Sequence, residues 1–342
     1  MQRPMQFLKA TIAKILLLSA LLMTGIFDIR AQKQWGGLEA VPRFDTNTKV
    51  VAPAMRERST RATPPRTSSA RPGASDLGLQ RPVAVKRRGF DYYLGFSTRV
   101  YYSSNPNINA PGTLFEKPAG VWLNNLHSGF RLGSYNWGQA AFSPYIGLTL
   151  TRFDQFGDKE LDFPLNTLGL YAFGLVQFPS GWALRAGLTY NQDHDGKNND
   201  RIHDDFYPGI TLFKTFSLGK AISLIDFGLN HHFTDSKFKA SLYPDELDRW
   251  ELSGRWTVMT NIGKWELSPY ARVIFSDYRK GFNRDRQDFT REVGLDLEYP
   301  FTSYFSANFF AHYTTRLSKG GISSYDFNRF DGGAGASING KF

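Results

Sequence analysis

Between Phe289 and Tyr299 the side chains alternate strictly, and this constrains the fold more than any other stretch. Val293, Leu295, Leu297 and Tyr299 fall on one face, with Glu292, Gly294, Asp296 and Glu298 on the other. Pro300-Phe301-Thr302-Ser303 turns the chain, Tyr304 to Arg316 alternates again, and a last run from Gly332 ends on the aromatic Phe342. A period of two sends successive side chains to opposite faces of a sheet. Repeated runs of about ten such residues, joined by turns alternately short and long, are the pattern of a membrane-spanning β-barrel.

Beyond Gly89 the same reading gives twelve strands, over 90–103, 119–132, 139–153, 165–178, 181–191, 206–217, 221–233, 248–262, 265–277, 288–299, 304–316 and 328–342. Tight turns such as Leu218-Gly219-Lys220 and Ile262-Gly263-Lys264 alternate with longer polar stretches at 104–118, 154–164, 192–205, 234–247, 278–287 and 317–327. The expected fold is all-β: an antiparallel transmembrane barrel over 89–342, preceded by a disordered basic arm. A soluble antiparallel sandwich alternates in the same way. The leader, the loop asymmetry and the terminal Phe342 weigh against it.

Composition separates the barrel from what precedes it. Arg3, Lys9 and Lys14 followed by the apolar run Ile15–Phe27 read as a signal peptide, with cleavage after Ala31. A run of thirteen residues is too short for the roughly 20 of a spanning helix. From Gln32 to Arg88 no aromatic occurs beyond Phe44, and Pro, Ser, Thr and Arg dominate. Such a stretch buries too little apolar area to offset its ordering entropy. It also holds most of the charge, with 12 Lys and Arg against 4 Asp and Glu, whereas 89–342 carries 25 against 26. The arm is therefore expected in the periplasm, free of nucleic acid and available to a periplasmic partner. The chain has no cysteine, which excludes disulfides and thiolate chemistry.

Alternation also assigns faces. Trp250, Leu252, Trp256, Val273, Phe275, Phe227 and Leu229 are expected to face lipid, with Trp137, Trp182, Trp265, Tyr299 and Tyr304 forming an interfacial girdle. The opposite parity collects Arg99, Arg131, Arg185, Asp226, Glu251 and Arg255. It also collects Glu266, Arg272, Glu292, Asp296, Glu298 and His312. Arg or Lys on the lipid face at mid-depth costs about 2–4 kcal/mol. Their shared parity points to a polar, ion-paired lumen. With its aromatic C-terminal strand, the chain resembles bacterial outer-membrane barrels, which implies outer-membrane lipid as its surroundings and recognition of Phe342 by barrel-assembly machinery.

The most polar stretch runs from Asn191 to Asp205. Asn191, Asp193, Asp195, Gly196 and Asn199 match successive ligand and turn positions of a Ca²⁺ loop, but Ile202 stands where a bidentate acid belongs. A solvated turn is the plainer reading. Over Asn191-Gln192-Asp193-His194-Asp195-Gly196-Lys197 the chain also resembles the active-site segment of outer membrane phospholipase A, a family of twelve-stranded barrels. That family carries Asn-His-Asp-Ser-Asn-Gly-Arg and uses calcium. Gln192 stands at the place of its base and His194 at that of its nucleophile, so the resemblance implies a lost lipase chemistry. His231-His232 lies close to His203 and Asp204, a further candidate metal site, although alternation lets only one of the two face the lumen and turns His231 outward. The functional expectation is a narrow pore or small-solute channel in preference to an enzyme, with a phospholipase-like barrel of lost chemistry, or a structural or adhesive barrel with a periplasmic partner, as alternatives.

Overall fold

A computed structural model of the chain describes residues 91–106, 117–157, 164–236, 247–320 and 325–342. Residues 1–90, with the expected leader and arm, lie outside the described residues. The strands run in order β1 (Asp91–Ser103), β2 (Ala119–Arg131), β3 (Tyr135–Trp137), β4 (Ala140–Phe156), β5 (Leu165–Gln177), β6 (Trp182–Asp195) and β7 (Arg201–Leu218). They continue as β8 (Ala221–Ser236), β9 (Arg249–Ile262), β10 (Trp265–Tyr278), β11 (Gln287–Pro300), β12 (Phe305–Lys319) and β13 (Phe327–Lys341). Each strand pairs antiparallel with its neighbours, and β1 pairs with β13 from Tyr93 opposite Lys341 to Ser103 opposite Asp331. The wall is therefore a closed barrel of twelve long strands. The short β3 lies along β4 beyond the end of β2, where β4 would otherwise present an edge.

Closure leaves no open sheet edge, so the strands satisfy one another's backbone polar groups along the wall, with breaks in the pairing beside Pro208 and Pro269. The last residue completes the seam, with Tyr92 and Phe342 exchanging backbone hydrogen bonds of 3.1 and 2.8 Å. At the turn end, β7–β8 and β9–β10 are joined by Gly219-Lys220 and Gly263-Lys264. Each glycine has a φ near +62°, as the two-residue turns that match strand twist require.

The outward face is apolar along every strand. Leu94, Phe96 and Val100 on β1, Ile146, Leu148 and Leu150 on β4, and Val293 and Leu295 on β11 are all exposed. A band of this extent needs an apolar solvent, because soluble monomers do not present contiguous apolar patches of such size. The expected girdle is present at the turn end, where Trp137, Trp182 and Tyr304 are exposed and Trp265 packs on Tyr299 at 4.9 Å.

Strand ends fall within three residues of expectation except where β6 and β7 meet. There the expected loop 192–205 is mostly strand. β6 continues to Asp195 and β7 begins at Arg201, leaving a turn of residues 196–200 and one bulge beside Asp193. Residues such as Asn and Asp disfavour strands locally, but pairing with both neighbours overrides that preference.

Because the wall closes without any residue before Asp91, deleting residues 32–88 is expected to leave heat-modifiable gel migration unchanged. Loss of that migration would make the arm part of the fold.

Candidate functional site

The twelve charged residues assigned to the lumen lie on the strand parity opposite the exposed apolar residues. Arg131 pairs with Asp91 at the turn end. Arg185 lies 4.7 Å over the Phe173 ring, and Arg99 lies 4.9 Å over that of Phe310. Arg255 stands across from Asp226 on β8 and from Arg272 on β10, and its guanidinium covers the Tyr270 ring at 4.2 Å. Arg272 is in turn opposite Glu292, which accepts a 2.6 Å hydrogen bond from the Tyr270 hydroxyl. Glu251 lies 3.7 Å from both His232 and Arg249, and His312 lies 3.0 Å from Asp331. Glu266 faces Glu298, and Asp296 faces Ser268. Part of the set is thus tied into pairs. The β10–β11 carboxylates near the turn end are arranged like against like.

Two apolar clusters that alternation did not assign also occupy the inward face. At the turn end Tyr145, Tyr171, Phe173, Leu175, Phe213 and Leu224 are buried together, and Tyr93 and Met259 pack against them. Tyr145 and Phe173 stack at 4.9 Å, and the Tyr93 and Tyr171 hydroxyls are hydrogen-bonded. Towards the loop end Tyr101, Val121, Phe153, Leu165 and Phe310 form a second group. The sequence did carry a signal: Leu170-Tyr171-Ala172-Phe173 in β5 is apolar on both parities, so one set had to point inward.

The interior is consequently uneven. Along β4 to β8 the inward side chains are largely buried. Along β10 and β11, Glu266, Ser268, Tyr270, Arg272, Glu292 and Asp296 are half-buried and Glu298 is exposed. Inward side chains of a closed barrel keep such accessibility only beside an interior water-sized space.

The proposed calcium ligands do not form a wrapping loop. Asn191 and Asp193 lie along paired β6, about 6.6 Å apart at 3.3 Å per strand residue. Asp193 is fully buried and accepts a 2.6 Å hydrogen bond from Thr167. Asp195 accepts from the Lys197 amide at 2.7 Å, and Asn199 sits in the turn at a φ of 60°. Among the described residues no group of three His, Asp or Glu is placed to hold a metal ion.

Gln192 and His194 face outward, with His194 Nε2 3.0 Å from Gln192 Oε1 and His194 Nδ1 3.0 Å from the Asn199 carbonyl. Gln192 also donates to the Tyr190 hydroxyl at 3.0 Å. This hydrogen-bonded set contains no serine, threonine or cysteine, so the residues that resemble a lipase segment lack an activated nucleophile. The histidine pair separates: His231 packs outward between Phe233 and Trp250, both at 4.3 Å, while His232 points inward to Asp205 at 3.0 Å.

No family model matches the chain, and no curated protein matches it. Among solved structures, an outer membrane channel from Pseudomonas putida F1 is similar with a TM-score of 0.44 and 12% identity, over 78% of this chain and 100% of that one. The β domain of the Bordetella autotransporter BrkA matches with 0.41 and 14%, over 73% and 99%. LpxR from Salmonella typhimurium matches with 0.36 and 9%, over 71% and 99%. The fold assignment rests on the strand pairing itself.

Proposed function

We propose that the protein is an outer-membrane barrel that admits small hydrated solutes through a narrow, charge-lined lumen. The observation that carries this reading is the accessible inward wall of β10 and β11 in a barrel whose outer surface is apolar. Twelve strands leave a lumen only a little wider than its own side chains can fill. Here the aromatic cluster takes up one side of it, and the passage is confined to the other.

On that accessible wall Glu266, Glu292, Asp296 and Glu298 outnumber Arg272 and the facing Arg255. Fixed charges act strongly at such close quarters, where water screens them least. Planar-bilayer conductance of the refolded protein tests the reading. Changing Arg255 and Arg272 together to Ser removes two positive charges and two long side chains. Conductance is expected to rise and selectivity to move towards cations. Absence of any conductance in the parent protein would overturn the pore.

A further inference from the structure

One line of cross-strand neighbours runs around the inner wall from Arg99 on β1 to Gly335 on β13, Asn308 on β12, Glu298 on β11 and Glu266 on β10. All five positions face inward. Among the described residues Arg99 has no carboxylate partner; its guanidinium lies over the Phe310 ring at 4.9 Å. Glu298 is exposed and has no cationic partner there. Asn308 is 9% exposed, and its side-chain oxygen accepts no hydrogen bond. An amide left so is costly unless something completes it.

Gly335 brings two of these groups together. A Cβ built there would come within 2.8 Å of Arg99 Cγ and 2.9 Å of Asn308 Oδ1. Both side chains therefore lean over the glycine towards the same spot. A guanidinium is a fork of donors matched to a carboxylate. The open amide oxygen of Asn308 and the carboxylate of Glu298 can accept from an ammonium. Positive, amphoteric and negative groups are thus set out in that order along one line.

We propose that this line is a binding subsite for a zwitterion of the short-peptide class, its carboxylate on Arg99 and its ammonium on Glu298 and Asn308. Three inter-strand steps separate β1 from β11, about 14 Å at roughly 4.8 Å per step. The inward reach of Arg99 and Glu298 shortens that gap. An extended tripeptide spans about 10 Å between its charged ends, so it bridges the two groups where a single amino acid reaches only one. A second carboxylate, Glu266 opposite Glu298, strengthens the hold on the ammonium. The subsite rests on the lumen being accessible, as the pore reading requires, but its occupancy is measurable without conduction.

The test uses full-length protein with triglycine as the probe, followed by calorimetry in detergent and by current block in planar bilayers. Triglycine is expected to bind in the millimolar range. Arg99→Gln and Glu298→Gln should each weaken it about tenfold, the order expected for a lost charge-assisted pair. Triglycine acetylated and amidated at its ends should not bind. Glu298 is exposed, so its variant keeps the fold, and heat-modifiable migration checks both proteins. Equal binding of the capped peptide, or unchanged binding in both variants, would overturn the subsite. Calorimetric binding in a protein that conducts nothing would uphold the subsite and remove the pore. Conductance without triglycine binding would do the reverse.

Discussion

Changing Arg286 to Ala is expected to destabilise the barrel by about 3 kcal/mol, the low end of the cost of removing one partner from a buried ion pair. Arg286 is 1% exposed at the loop end, just before β11. Its Nε and Nη2 donate to the two oxygens of Asp288 at 2.9 and 2.5 Å, and Nη1 donates to Asn283 at 3.0 Å. Its planar group is sandwiched between the Tyr278 and Tyr325 rings, at 4.3 and 3.6 Å. One side chain thereby ties the β10–β11 connection to the residues leading into β13. Arg316, 3.6 Å from Asp288, still offsets part of the stranded charge, which is why the low end applies. Arg286→Lys keeps the charge but loses the fork and the stacking plane, so it should fall between the parent and the alanine variant. Urea midpoints followed by tryptophan fluorescence in lipid vesicles would measure this. Equal midpoints for parent and alanine variant would show that the pair does not hold the loop end.

The strand plan and face assignment were legible because alternation couples both to one physical demand, an apolar outer face and a polar inner one. Arg255 and Glu292 could be placed inward from parity alone. What parity does not give is the neighbour across the strand gap. Glu266 opposite Glu298, and Arg255 opposite Arg272, depend on register, which the connection lengths set. A single residue more or less in the turn at 301–304 would give Glu298 a different neighbour. The inward aromatics were missed for another reason. Phe173 and Phe213 are apolar residues on a face read as polar, and the alternation test weighs only the contrast between faces. The stretch from Asn191 to Asp205 failed in the opposite direction. Its carboxylates and amides look like a solvated loop, yet Asp193, Asp204 and Asp205 are buried in a paired hairpin, with Thr167, Arg201 and His232 on the same or neighbouring strands as their partners.

On the pore reading proposed above, the inward aromatic cluster sets the bore, and its loss has the larger of the two expected effects on transport. Phe173 lies at its centre, stacked on Tyr145 at 4.9 Å and on Tyr171 at 5.8 Å, with Arg185 over its face at 4.7 Å. Phe173→Ala removes a ring from the lumen and leaves Arg185 without its seat. In a sealed core that truncation costs about 3–5 kcal/mol, much of it for the cavity left behind. Beside a hydrated passage, water can enter the vacated space next to the Arg185 guanidinium and the Tyr171 hydroxyl, both able to hold it. The stability loss should therefore fall below that range. Conductance, by contrast, should rise roughly twofold, since a twelve-stranded lumen is nearly filled by its own side chains. Single-channel recordings and urea midpoints on the same preparation separate the two contributions. A full core-sized loss of stability with unchanged conductance would mean that the cluster is sealed from the passage, and that solutes move only along the β10–β11 wall.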